Sequence, residues 1–279
     1  MIPPLEVMVI AAAVSIAISS IVLGSFSSEA ASRYTGALGY AAGFLAAFAY
    51  LESRALAPTV HWHWLPWLAL AAGMIGPISI AGGVRPLERF VLFTLFSLAA
   101  AWLLVPTRPA LLPLRTSHIV VFAGSLAVLW QLLDGLSRKE SGIPLCIALA
   151  ATLTSGAALV AYEFSIRIGF LGAAGTAALA GGGLSAAWKR DATIIRGMVG
   201  APSVVLCGIL LTAKLDDGVT IPLIALILLS PLTLWLFEAG PLARLQGYRA
   251  ALAKAFAVGL PHFAAWCYVL ARDFAGPSP

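Results

Sequence analysis

Residues 168–188 read IGFLGAAGTAALAGGGLSAAW, and most positions are Gly, Ala, Ser or Thr. Glycine falls at 169, 172 and 175, then at 181, 182 and 183. In water the stretch would be a poor helix, because each interior Gly costs about 1 kcal/mol relative to Ala. In lipid the backbone has to bond internally, and small residues let neighbouring helices approach closely. The stretch therefore predicts a membrane helix, the seventh of about ten, around which the others are arranged. Residues three apart lie near one helix face, so Gly169, Gly172 and Gly175 should form a groove for a neighbour.

Composition points the same way. Of the 279 residues 61% are hydrophobic and 10% charged, against about 25% charged in a soluble domain. The mean hydropathy is +0.96, and no stretch is polar enough for a separate soluble domain. A net charge of +5 suits loops against anionic lipid headgroups. Nucleic acid is not an expected partner, because no single basic face is present. Cys146, Cys207 and Cys267 sit in apolar runs without CxxC spacing and read as small hydrophobes. No metal or cofactor is expected.

The other expected helices span about 5–24, 34–51, 64–81, 87–105, 118–136, 143–162, 198–215, 219–237 and 249–271. The first is a poor signal peptide, since its N-terminal end carries Glu6 and no Lys or Arg. Two charged motifs set up an internal comparison. Glu29 and Arg33 precede Gly36, Gly39 and Gly43; Glu163 and Arg167 precede Gly169, Gly172 and Gly175. The charged residues are offset by 134 positions and the first glycines by 133. Ser97 and Trp102 match Ser230 and Trp235, and Arg115 and Phe122 match Arg249 and Phe256. The expected architecture is all-α and polytopic: two five-helix repeats, residues 1–139 and 140–279. An odd number of helices per repeat inverts the second copy. Eleven Lys/Arg fall in the loops after odd-numbered helices and six in the other loops and tail, so the positive-inside bias puts both termini outside. The expected location is a prokaryotic plasma (inner) membrane.

In helix count and repeat the architecture resembles ten-helix transporters of two inverted five-helix halves, such as the drug/metabolite and bile-acid types. The local motifs of those families are absent, so no family is assigned. Within this frame the expected function is a permease for a small neutral or amphipathic solute. A non-transporting scaffold or subunit is the alternative, and polar lining of a midplane cavity should separate the two. The candidate ligand site is Pro77 with Ser79 and Pro202 with Ser203, where two helices are interrupted at matching places, joined by His262 beside Pro261. Glu29/Arg33 and Glu163/Arg167, each spaced i,i+4, are candidate gates or helix-start clamps. His61 and His63, among tryptophans, suit an interfacial aromatic belt better than a metal site. Gly183-Leu-Ser185-Ala with His262 resembles the Ser/His dyad of rhomboid-type proteases but departs from their GxSG, so an enzyme is not expected.

Overall fold

A chain in hydrocarbon has to satisfy its own N–H and C=O groups, and the expected apolar runs are accordingly helical. The computed structural model describes residues 4–25, 29–52, 57–80, 84–139, 142–191, 193–216, 218–238 and 240–275. Among these residues every regular element is a helix: α1 (Pro4–Ser25), α2 (Glu29–Leu51), α3 (Leu65–Ile80), α4 (Pro86–Leu104), α5 (Arg115–Lys139), α6 (Gly142–Glu163), α7 (Ile166–Lys189), α8 (Thr193–Met198), α9 (Gly200–Leu215), α10 (Ile221–Leu229) and α11 (Gly247–Ala275).

Eight helical segments are long and apolar enough to cross a membrane, with α8 and α9 forming one of them. Ten were expected. The two shorter ones are α3, with 16 residues, and the segment Ile221–Phe237. Each is short for a local reason. Trp64, expected to open the third helix, closes a 3-10 turn over His61–Trp64 instead. Pro231 lacks an N–H and its ring crowds the carbonyl four residues back, so α10 stops and Ser230–Phe237 continues as a 3-10 helix. Further departures follow the same chemistry. The Pro-rich stretch Pro109–Leu114, between the expected helices 87–105 and 118–136, is a 3-10 turn leading into α5. At the start of α4 the Arg85 N–H donates to the Glu88 carboxylate at 2.9 Å, with Pro86 at the first helical position.

The polar helix ends sort into two faces. The first gathers the start of α1, where the Tyr50 hydroxyl at the end of α2 meets Glu6 at 2.6 Å. It also holds Glu52 after α2 with Arg167 at the start of α7, and Glu163 ending α6 with Arg272 near the end of α11. Arg108 after α4 and Asp216 after α9 join them. The second face holds Arg89 at the start of α4 with Asp134 near the end of α5. There too, Lys139 lies over the Trp235 ring.

The small residues lie at helix–helix contacts, divided among several neighbours and not in a single groove. A β-carbon on Gly172 would lie 2.6 Å from Ala157 Cβ, and one on Gly169 2.5 Å from Ala161 Cβ, so both seat α7 on α6. Gly175 instead faces Tyr40 of α2, and Gly181 faces Ala12 and Ser15 of α1. On α2, Gly39 and Gly43 seat α1, whereas Gly36 meets the Ile194 carbonyl of α8. Thus α7 touches α1, α2, α6, α8 and α9. The most enclosed span is nevertheless Thr193–Leu215, in which almost every residue is buried.

Candidate functional site

The expected site begins where α3 meets α8. A β-carbon on Gly76 would lie 2.5 Å from the Gly197 carbonyl oxygen, so the two backbones touch. Pro202 follows Gly197 by five residues, about 8 Å of helix. Pro77 and Pro202 are therefore neighbours, well within the distance of roughly 20 Å that a shared site allows. But α3 is not interrupted as expected: it runs unbroken from Leu65 to Ile80 with Pro77 inside it. Val199 separates α8 from α9, and Pro202 supplies the reason, since it cannot donate to the Met198 carbonyl.

Neither proline lines one of the main cavities among the described residues. Pro77, Pro202 and Ser203 are buried. The Ser203 hydroxyl donates back to the Val199 carbonyl at 2.8 Å, so it is already committed. Trp130 of α5 fills the approach: a β-carbon on Gly200 would lie 2.3 Å from its ring, which stacks on Phe93 at 4.4 Å. Among the described residues the main cavities lie elsewhere. One of about 750 Å³ lies between α1 and the end of α7, lined by Ile16, Ser20, Ser185 and Lys189. One of about 400 Å³ lies between α5, α9 and α10, and one of about 300 Å³ between α6 and α11. The side chains of Glu29, Arg33 and Ser79 lie outside the described residues.

His262 stands apart from Pro77 and Pro202. Its Nε2 is 2.7 Å from Ser230 Oγ and 3.5 Å from Thr152 Oγ1. Both hydroxyls spend their protons elsewhere, on the carbonyls of Val258 at 2.7 Å and Ala148 at 2.8 Å. Each can therefore only accept from the ring, which assigns the proton to Nε2 and leaves Nδ1 a bare acceptor. That Nδ1 is buried without a partner. Ser185, the other half of the supposed dyad, donates to the Gly181 carbonyl at 3.0 Å, so the two residues are committed to different neighbours.

Glu163 and Arg167 do not form the expected i,i+4 pair. Glu163 ends α6, Phe164 and Ser165 interrupt the helix, and Arg167 opens α7. Arg167 reaches Glu52, Nε to carboxylate at 2.6 Å with a second bond from its terminal nitrogen, and covers the Trp62 ring. Glu163 receives Arg272 at 2.7 and 2.9 Å. His63 joins Glu52 through Nε2 at 3.7 Å, while its Nδ1 accepts from the Thr59 N–H at 3.4 Å. Burial holds the His63 pKa below its ordinary value, opposed by Glu52 and reinforced by Arg167. On the second face, burial would raise the Asp191 pKa. Hydrogen bonds from Thr193 and Ser32, with Arg196 nearby, hold it below the ordinary value instead.

Sequence reasoning missed Tyr40. It is wholly buried, stacks on Phe44 at 6.3 Å, and points its hydroxyl at Gly175, 3.0 Å from where a β-carbon would stand. That hydroxyl has no hydrogen-bond partner. The signal was visible: a tyrosine, not a phenylalanine, beside Gly39 in a run of Gly and Ala.

No known protein family, curated protein or solved structure matches the chain.

Proposed function

We propose that this multi-pass membrane protein is a ten-crossing carrier of two inverted five-helix halves, moving a small neutral or amphipathic solute, and that the described form is closed. The Tyr40 hydroxyl carries the reading. An unsatisfied buried polar group costs about 1–3 kcal/mol, and phenylalanine would keep the same stack on Phe44. A hydroxyl retained at the crossing of α2 and α7 suits a site that hydrogen-bonds a solute during part of a cycle.

The sorting of helix ends supports ten crossings, since consecutive helices alternate between the faces, with α3 and Ile221–Phe237 as the short passes. The paired seating of Gly39 on α1 and Gly172 on α6 supports the repeat, as their offset is the 133 of the first glycines. In this reading Glu52–Arg167 and Glu163–Arg272 close the first face.

One observation favours a second reading. The centre is filled by Trp130, Phe93 and Phe44, all almost wholly buried, and its neighbouring serine is committed to its own helix. That is how a non-transporting scaffold would close the space. Thiol accessibility decides between the two. With Cys146, Cys207 and Cys267 replaced, Ser203→Cys in membrane vesicles should react slowly with a membrane-impermeant thiol reagent as the carrier cycles. Reaction only after denaturation, from neither face, would leave the scaffold standing.

A further inference from the structure

His262 stands near the midpoint of the 29-residue α11 and is buried. Its ring meets Thr152 of α6 and Ser230, which opens the 3-10 run Ser230–Phe237. Neither hydroxyl needs the ring, because each already donates to a main-chain carbonyl. The imidazole thus brings one bonded N–H and one buried nitrogen, Nδ1, that has no partner among the described residues. An ionisable group kept at membrane depth is costly and marks an ion or substrate path. Comparing the two halves isolates it further. Ser230 matches Ser97 at offset 133, and Ser97 is also buried, its hydroxyl without a partner. At the offset of 134 that aligns Arg115 with Arg249, His262 falls on Val128, an exposed apolar residue. The histidine is what the second half adds to the serine.

A second N–H, at Nδ1, would have no acceptor in this arrangement, and no carboxylate is bonded to the ring. Around the ring α11 packs on α6, α10 and the 3-10 run, and the last two carry no ionisable side chain. On α6, Glu163 is eleven residues beyond Thr152 and bonded to Arg272, Tyr162 is bonded to Asp273, and Cys146 donates to the Leu179 carbonyl. On α11 itself Lys254 lies about two turns before the ring and Arg272 nearly three after it. The cavity of about 300 Å³ between α6 and α11 reaches Gly259, about one turn short of the ring, and Lys254 is the one polar side chain in its described walls. Walls of that kind do not hold water. The described form therefore keeps His262 from protons.

We infer that His262 is the coupling-proton site of the carrier. Nδ1 takes a proton from water when the helices part, forming imidazolium, and returns it to water before Ser230 and Thr152 close on the ring again. One nitrogen without further ligands suits a proton and not a metal ion. The inference rests on the carrier reading, and its consequence is that acid favours the open form.

The test uses the full chain in liposomes with His61→Gln, His63→Gln and His118→Gln, so that His262 is the remaining histidine. Nitrogen-15 NMR of the labelled ring should show Nε2–H with a bare Nδ1 at pH 7 and both nitrogens protonated at pH 5, either side of the usual histidine range. In the same background without cysteines, spin labels at Ile166→Cys and Ala271→Cys, both exposed at the first face, should show two distances. The ratio of the second to the first should rise by up to about tenfold per pH unit, the limit for one proton taken by one of two forms. His262→Gln keeps an N–H for Ser230 and Thr152 but takes no proton, and it should hold one ratio at both pH values. If that variant does not fold, the ring titration and the ratio in the His262 protein still decide. A ring still singly protonated at pH 5, a ratio that ignores pH, or an equal response in His262→Gln overturns the proton site and, with two distances present, leaves the carrier standing. One distance at every pH removes the carrier and the proton site together.

Discussion

Gly172→Ala tests the seating of α7 on α6 with a single atom. Its new β-carbon would stand 2.6 Å from Ala157 Cβ, 2.8 Å from Ile209 Cδ1 and 3.1 Å from Ala157 Cα. Carbon atoms prefer about 3.5–4.0 Å. The isoleucine can rotate away; Ala157 cannot, because its β-carbon is fixed by the backbone. The helices therefore have to part by about 1 Å, which also loosens the Gly169–Ala161 contact one turn away. Overpacking of this kind costs about 1–3 kcal/mol. Gly124→Ala supplies the control, since nothing stands within 4 Å of its β-carbon position. Both variants gain the same helix propensity, about 1 kcal/mol, so it cancels in the comparison. Unfolding in one detergent should separate them by about 1–3 kcal/mol, a 5- to 150-fold difference in folded-to-unfolded ratio. Equal stability would mean that α7 does not sit on α6 at this point.

Reporter fusions after Ser137 and at Pro279 should report opposite compartments, with Pro279 outside; both in the cytoplasm would refute the ten-crossing reading. Tyr40→Phe should hold or raise stability, by up to about 3 kcal/mol if the whole cost of the orphaned hydroxyl is recovered, and a clear loss in detergent unfolding would show that the hydroxyl has a partner. Asp134→Ala should destabilise by about 3–5 kcal/mol, because Arg89 and Arg138 lose their shared carboxylate on the second face; a smaller loss than for an exposed-site alanine would contradict that. His63 folds with a depressed pKa, so the stability it contributes is complete above its unfolded pKa of about 6.5 and is lost as pH falls through the folded value. Thermal unfolding between pH 7 and pH 5 should therefore fall more steeply in wild type than in His63→Gln.

The helices were legible because an apolar run of membrane length leaves the backbone no other arrangement. The close contacts of Gly39, Gly169 and Gly172 were legible for a related reason: a small residue in a lipid-embedded helix marks where another helix comes near. Pro231 and Pro202 carried the signal of a break, but not its form, a 3-10 run in one case and a single-residue step at Val199 in the other. Charge partners were not legible. The i,i+4 spacing of Glu163 and Arg167 suggested a local pair, whereas the break at Phe164–Ser165 turns the two side chains toward different helices. Nothing local in the sequence tells Arg167 that its partner is Glu52. His262 was singled out by its depth and by Pro261, yet its partners, Ser230 and Thr152, come from segments that only the fold brings beside α11. Tyr40 was missed because one hydroxyl in a Gly/Ala run barely alters composition.

The Glu52–Arg167 link joins residues 115 apart, and Glu163–Arg272 joins residues 109 apart. A ribosome adding about 5–20 residues per second needs about 6–23 s to make the first interval. Throughout that time Glu52 has been made and its arginine has not. The same wait recurs for Glu163 until the last helix emerges. The nascent chain thus presents an unneutralised carboxylate twice during its own synthesis, and a ribosome stalled between residues 52 and 167 would leave the first one exposed to membrane quality control.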